Sequence, residues 1–181
     1  MFEQLKKVME FGLKEEKIRT IESLSNSSDP KIISLLVAAL DDRDIEVRGE
    51  VFSSLVLNDN DISPILIDAL KSTSKNVRGY STLVLANRND KNAVPHIARL
   101  TDDESAMVRS CAVGALGFLR ASEALGAIRK CLDDPNIEVK KSAIKSAIDI
   151  GDKDLLSKLG KLVQVDDPEI KSLLVLAKKN L

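Results

Sequence analysis

The sequence predicts an all-α protein, an α-solenoid of about twelve helices stacked as antiparallel pairs in a single domain over residues 1–181. Three observations predict it. A branched-aliphatic-plus-basic dipeptide recurs as Val47-Arg48, Val77-Arg78, Val108-Arg109, Val139-Lys140 and Ile170-Lys171, at separations of 30, 31, 31 and 31 residues. A second marker keeps the same period, with Asp29, Asp59, Asp90 and Asp152 in one slot and Ala121 at the skipped position. The apolar vocabulary is also helical: aromatic residues make up 3% of the chain, Trp is absent, and Ala, Leu, Ile and Val carry the load.

Each marker has a local meaning. Ser28, Asn58, Asn89, Arg120 and Gly151 precede the aspartate slot. Asn and Gly tolerate the left-handed conformation that ends a helix, and an Asp that follows can cap the next one. This slot therefore reads as a helix-to-helix turn. Pro30 directly after Asp29, and Pro64 and Pro95 five residues after Asp59 and Asp90, fall near helix starts, where proline is accepted. A second turn in each unit precedes the dipeptide, at Asp41-Asp42, Asp102-Asp103, Asp133-Asp134-Pro135 and Asp166-Asp167-Pro168. Its acids favour the N-terminal end of the next helix dipole.

Between turns the apolar spacing is i, i+4, i+8. First helices carry Val47, Val51 and Leu55; Val108, Ala112 and Leu116; and Val139, Ala143 and Ala147. Second helices carry Ile32, Leu36 and Leu40; Ile62, Leu66 and Leu70; and Leu155, Leu159 and Val163. Helices are predicted at 2–12, 15–26, 30–41, 44–57, 61–71, 75–87, 91–101, 105–119, 122–132, 136–150, 153–164 and 167–180. The first unit is blurred: Ile18-Arg19 looks like the dipeptide, whereas Ile21 and Leu24 fit a register one residue earlier. A helix pair of this length cannot bury its own apolar face, so each unit must lean on its neighbours.

Composition narrows the function classes. A content of 44% apolar and 30% charged residues belongs to a folded, soluble protein, expected in the cytoplasm. The net charge of −1 lacks the field that concentrates a chain on nucleic acid or an anionic membrane. Residues 1–90 carry 12 Lys and Arg against 15 Asp and Glu, and residues 91–181 carry 15 against 13, so the C-terminal half leans basic. The N-terminal segment has no signal-peptide pattern, and no stretch approaches the ~18 continuous apolar residues of a membrane span. Cys111 and Cys131 lack CxxC spacing and read as small core thiols of a reduced protein.

The Val-Arg dipeptide after an acidic turn, the stretch Asn89-Asp90-Lys91-Asn92-Ala93-Val94-Pro95 and the period of 30–31 residues resemble the short HEAT-like repeats of phycobilin lyase subunits. The resemblance extends over nearly the whole chain, as about five full repeats with atypical terminal helices. It implies a right-handed superhelix whose second helices line a concave side and hold proteins or, less often, nucleic acid. It also implies that the basic slot of Arg48, Arg78, Arg109, Lys140 and Lys171 is a structural ladder bonded to acids or carbonyls of neighbouring turns.

Sites of chemistry are scarce. His96 is the single histidine, and no His-Glu dipeptide is present, which excludes the di-iron chemistry of the similar deoxyhypusine hydroxylases. Gly114 and Gly117 sit inside a first helix, where close packing explains them, and no phosphate-binding glycine motif occurs. Phe2, Phe11, Phe52, Phe118 and Tyr80 are scattered, mostly at core-like positions. No cofactor, metal or catalytic residue is expected.

One basic column invites a binding role. Arg99, Lys130 and Lys161 share a slot on three successive second helices, Lys158 lies one turn before Lys161, and His96 is counted with them. Backward, the slot holds Asp68 and Ala38. Two readings stand, a solvated helix face and a binding stripe.

The expected function is a non-catalytic scaffold that binds another protein along its groove, with an acidic segment as the complement of the stripe. Two alternatives stay open: a nucleic-acid binder resembling HEAT-like alkylpurine DNA glycosylases, and a phycobilin-lyase-like subunit. The run Leu173, Leu174, Val175 and Leu176 adds a surface for weak homodimerisation, and no membrane contact is expected.

Overall fold

The computed structural model describes residues 2–157 and 166–181. The chain divides into two compact units, Met1–Arg88 and Asn89–Leu181. All regular structure among the described residues is helical.

The first unit holds α1 (Phe2–Phe11), α2 (Lys14–Leu24), α3 (Pro30–Ala38), α4 (Ile45–Leu57), α5 (Ser63–Ala69) and α6 (Lys75–Asn87). Helices α2, α4 and α6 pack in sequence as one layer, and α1, α3 and α5 as the other. Between the layers lie Ile21, Ile33, Leu36, Val47, Val51, Leu55, Leu66, Val84 and Leu85, all buried. These are the aliphatic positions that the repeat places on facing helix stripes. Proline starts α3 and α5, where its missing N–H is one of the groups a helix end leaves unbonded anyway.

The second unit holds α7 (Val94–Arg99), α8 (Ala106–Phe118), α9 (Leu125–Cys131), α10 (Ile137–Ile150) and α11 (Pro168–Asn180). Here α8, α10 and α11 form the first-helix layer, with α7 and α9 against it. The predicted helix 91–101 is realised in three pieces: a 3-10 turn Lys91–Ala93, then α7, then a 3-10 turn Leu100–Asp102. A similar 3-10 turn, Ala39–Asp41, follows α3. The predicted helix 153–164 lies largely outside the described residues, as do Leu159 and Val163; Leu155 is buried.

The aspartate-slot turns use two conformations where the sequence predicts one. Asn89, Arg120 and Gly151 adopt positive φ. Ala121 N donates to the Leu116 carbonyl and Arg120 N to that of Gly117, the paired bonds that close a helix through a left-handed residue. Asn58 instead stays extended at φ −64°. Its side-chain amide donates to the carbonyls of Ser25 and Ser27, both at 2.9 Å, tying this turn to that of the preceding repeat. Arg88 extends the tie, donating to the carbonyls of Leu55, Asn58 and Asn60 at the end of α4. A cation there also complements the helix dipole.

Three expectations are corrected by packing. None of the aromatic rings is fully buried, and Phe11 and Phe118 are exposed, because Ala, Val, Ile and Leu already fill the narrow space between layers. Gly117 is explained by close packing, since a Cβ there would lie 2.4 Å from Ser146 Oγ and 2.7 Å from its Cα. Gly114 is not, because a Cβ there meets nothing within 4 Å. Cys111 is only half-buried, whereas Cys131 is buried.

The two glycines of α8 therefore give opposite outcomes. Gly117→Ala forces α8 away from α10, where Ser146 Oγ donates to the Val113 carbonyl at 2.9 Å, and is expected to cost about 1–3 kcal/mol. Gly114→Ala is expected to stabilise by up to about 1 kcal/mol through helix propensity. Urea unfolding of both variants checks the sign reversal across a single helical turn.

Candidate functional site

The turns before the first helices are built alike. In each, a side-chain oxygen accepts from the backbone two residues on: Asp42 from Asp44 N (2.8 Å), Ser72 from Ser74 N (3.2 Å), Asp103 from Ser105 N (2.8 Å) and Asp134 from Asn136 N (2.8 Å). The next polar residue caps the helix: Asp44, Ser74, Asn136 and Asp167 each accept a first-turn N–H. The ladder arginine then reaches back over the turn. Arg48 Nη1 donates to the carbonyls of Asp42 (2.6 Å) and Arg43 (3.2 Å), Arg78 Nη1 to those of Ser72 (2.9 Å) and Thr73 (3.1 Å), and Arg109 Nη1 to those of Asp103 (2.9 Å) and Glu104 (3.2 Å). Lys171 pairs with Asp166 at 2.6 Å.

A second set of bonds links successive repeats. Arg109 Nε and Nη2 grip both oxygens of Asp134 in the next turn, at 2.7 and 2.9 Å. That fork holds the Asp134 carboxyl below the usual carboxylate range against the opposing effect of burial, with Lys140 adding attraction. Lys17 Nζ meets Asp42 Oδ2 at 2.6 Å across the same sequence distance of 25 residues. In the blurred first unit the ladder position thus falls on Lys17, and Arg19 instead donates to the Glu15 carbonyl. Sequence reading missed Lys17, although counting 31 back from Arg48 reaches it. Lys141, next to the ladder residue Lys140, reaches Asp167 at 3.2 Å and Glu169 at 2.9 Å. Arg129 pairs with Asp152 at 2.5 Å and Asp154 at 2.7 Å.

Arg48 lacks the equivalent carboxylate. Ser72 stands in the slot that Asp134 occupies two repeats on, and among the described residues the buried Arg48 Nε has no hydrogen-bond partner.

The second-helix slot behaves differently from the ladder. Arg99 ends α7 in an exposed position, and its guanidinium makes no hydrogen bond or ion pair among the described residues. Lys130, near the end of α9, is exposed and pairs with Asp102 of the preceding repeat at 2.5 Å. That contact raises its pKa, first through the hydrogen bond and then through the charge of Asp102. His96 is half-buried on α7. Lys158 and Lys161 lie outside the described residues.

Two grooves open beside this slot, one in each unit. In the second unit a groove of about 470 Å³ runs between the turn Thr101–Asp103 and the end of α9, with Lys130 and Asp102 on its walls. In the first unit the corresponding groove, of about 500 Å³, lies between α3 and α5. Its walls hold Val37, Ala38, Ile65 and Ala69, with Asp41 and Asp68 in the places of Asp102 and Lys130.

Other chemistry is sparse. Burial pushes the thiols of Cys111 and Cys131 up to about 11, so both are protonated at neutral pH. Among the described residues no group of three His, Cys, Asp or Glu is placed to hold a metal ion, and no helix is long and apolar enough to cross a membrane. On α11, Leu174 is buried while Val175 and Leu176 are exposed.

A family model for HEAT repeats matches residues 63–134 and 98–177. Among solved structures, the chain is similar to one from the complex of CpcE and CpcF of phycocyanin lyase from Nostoc sp. PCC7120, at 19% identity and a TM-score of 0.72, over 83% of this chain and 99% of that one. A computationally designed armadillo repeat protein for modular peptide recognition matches at 19% identity and TM-score 0.60, over 100% of both chains. A further designed armadillo repeat protein, in complex with the peptide (KR)4, matches at 21% identity and TM-score 0.60, over 98% of both. Comparison with the curated proteins returned no match.

Two stability experiments follow from the ladder. Ser72→Asp supplies the carboxylate missing beside Arg48 while keeping the turn's own acceptor, and is expected to stabilise by about 0.5–1 kcal/mol. The gain should vanish in an Arg48→Met background, as a double-mutant cycle would show. For Asp134 the folded-state pKa lies below the unfolded one, so its contribution is present above the ordinary aspartate value and is lost as pH falls through the folded pKa. Asp134→Asn should therefore lower stability at pH 7 and flatten its fall below about pH 4. Thermal melts across that range measure both.

Proposed function

The chain belongs to the HEAT-repeat family, and from that premise we propose that it is a non-catalytic scaffold that binds another protein across the second helices of its C-terminal unit. The fold supports a protein-binding role: stacked helix pairs offer extended surface, and affinity on such surfaces comes from a few anchor residues. The observation that carries the reading is Arg99, an exposed guanidinium with no internal partner among the described residues. Lys130 supports it. Its pair with Asp102 is exposed on both sides, and such pairs are worth only about 0–1 kcal/mol, so an incoming carboxylate can replace Asp102 at little cost.

The partner this chemistry selects is a protein segment bearing Asp or Glu, with Arg99 supplying a bidentate fork and Lys130 a mobile point charge. Lys161, Lys158 and His96 extend the proposed surface. The ladder residues Arg48, Arg78, Arg109, Lys140 and Lys171 are proposed to serve the fold, because each of the three arginines bonds to the backbone of its own turn.

Capture from native cell extract on immobilised protein tests the proposal. The Arg99→Glu, Lys130→Glu, Lys161→Glu triple variant should retain its melting temperature to within a few degrees and lose about tenfold or more of partner affinity. Undiminished capture by the folded variant would sink it.

A further inference from the structure

One slot of the turn ladder holds a residue that can be modified into the group the slot lacks. Six residues before the ladder cation stand Asp42 for Arg48, Asp103 for Arg109 and Asp134 for Lys140, but Ser72 for Arg78. Two of these carboxylates hold the cation of the preceding repeat: Asp42 meets Lys17 Nζ at 2.6 Å, and Asp134 takes Arg109 Nε and Nη2 at 2.7 and 2.9 Å. By the same register the cation assigned to Ser72 is Arg48. Its Nη1 is occupied by the carbonyls of Asp42 and Arg43, and the Asp42 carboxylate is taken by Lys17. Its buried Nε finds no acceptor among the described residues, which is costly for a guanidinium N–H.

The Ser72 hydroxyl leaves that N–H unanswered and accepts from Ser74 N at 3.2 Å. Asp134 shows that one side chain in this slot serves both partners, since it accepts from Asn136 N at 2.8 Å while holding Arg109. The missing element is an anion with more reach than a hydroxyl. A phosphoserine supplies it, with a charge of about −2 at neutral pH and three strong acceptor oxygens. Ser72 is half-buried in the short turn between α5 and α6, next to exposed Lys71 and Thr73. Lys71 and Lys75 place positive charge on both sides of it, while Asp41 and Asp68 line the same groove and oppose a new anion. Asp68 is answered by Lys71 at 3.2 Å. The Asp134 turn meets stronger opposition, with Asp102, Asp103 and Asp133 lining its groove, and its fork on Arg109 still closes. A free anion suits the slot less well, because Nε is shut off from solvent, whereas a group borne on Ser72 starts from the turn itself.

We propose that Ser72 is a phosphorylation site whose phosphate is held by Arg48 of the preceding repeat, completing in the first unit the link that Asp134 makes with Arg109 in the second. The donor is a nucleoside triphosphate used by a protein kinase. The Ser72 Oγ–P bond forms as the bond from the γ-phosphorus to the bridging oxygen of the departing nucleoside diphosphate breaks, and the hydroxyl proton passes to the kinase's base. Nothing is oxidised or reduced. The phosphate ties the turn before α6 to α4 and adds negative charge at the rim of the α3–α5 groove. The site is independent of the Arg99 and Lys130 surface, so either can fail without the other.

The test installs phosphoserine at position 72 of the full chain by nonsense suppression and compares thermal melts with the unmodified chain, in the parent and in an Arg48→Met background. The modification is expected to raise the melting temperature by about 3 °C or more in the parent and by less than about 1 °C in the Arg48→Met background. Each background is its own reference, so whatever Arg48→Met costs alone cancels. No gain in the parent, or an equal gain in both, overturns the link to Arg48. Inorganic phosphate at about 10 mM should leave the unmodified chain's melting temperature unchanged, and an Arg48-dependent rise would instead make the slot a site for the free ion and overturn the covalent assignment. Incubation of the folded chain with ATP and native cell extract, followed by peptide mass spectrometry, should place phosphate on Ser72 and yield none at that position in Ser72→Ala. Phosphate confined to other residues, or none at all, overturns the modification site.

Discussion

Burial of one aliphatic stripe against the next repeat is the interaction on which the rest of the molecule depends. A helix pair of this size exposes roughly as much apolar surface as it hides, and only a neighbour with the same periodicity can cover the remainder. Within each unit the fully buried side chains are therefore those at the recurring positions, as with Leu55 and Leu85 or Leu116 and Ala147. The period is a packing requirement before it is anything else. It also limits side-chain size, which is why Gly117 meets Ser146 at backbone distance and why the aromatic rings stay out of the core.

Stacking creates a polar problem that the turns solve. Each pair brings two helix ends close to the next pair, and their unbonded N–H and C=O groups need partners. The solution is again repeated: an acceptor side chain inside the turn, a cap on the helix, and an arginine laid over the carbonyls. Where the next turn supplies a carboxylate, as Asp134 does for Arg109, the arginine also crosses to the following repeat. Where a slot has drifted, the loss is visible as a single buried nitrogen, Arg48 Nε. Arg48, Arg78 and Arg109 are thus each bonded to the backbone of their own turn.

Most of the fold was legible because its determinants are periodic. The markers Val47-Arg48 through Ile170-Lys171 locate the first helices, and Asp29 and Asp90 mark caps whose side chains accept from Lys31 and Asn92. What was not legible depends on single contacts. Nothing in the sequence separates Gly114 from Gly117, because the difference is whether Ser146 lies opposite. Asn58 was grouped with Asn89 by slot, yet its amide finds Ser25 and Ser27 and the backbone never turns left-handed. Lys17 was hidden by the more obvious Ile18-Arg19, which satisfies composition but not register. For the candidate surface, the sequence displays the alignment of Arg99 with Lys130. It does not display that Lys130 already has a carboxylate in reach while Arg99 bonds to none among the described residues.

That last contrast shows where variation can act in a repeat array. Slots that face the next helix or close a turn are constrained in every copy, so a change there costs stability. In the slot of Asp68, Arg99 and Lys130 the side chains sit exposed at the helix surface, and Asp68 and Lys130 each line a groove. Charge at this slot can be reversed from one unit to the other without disturbing the stack, and here it has been. A scaffold built this way separates the residues that make it a surface from those that choose what the surface meets. On the proposed function, selectivity rests on the few exposed side chains, Arg99 foremost, that bond to no carboxylate among the described residues.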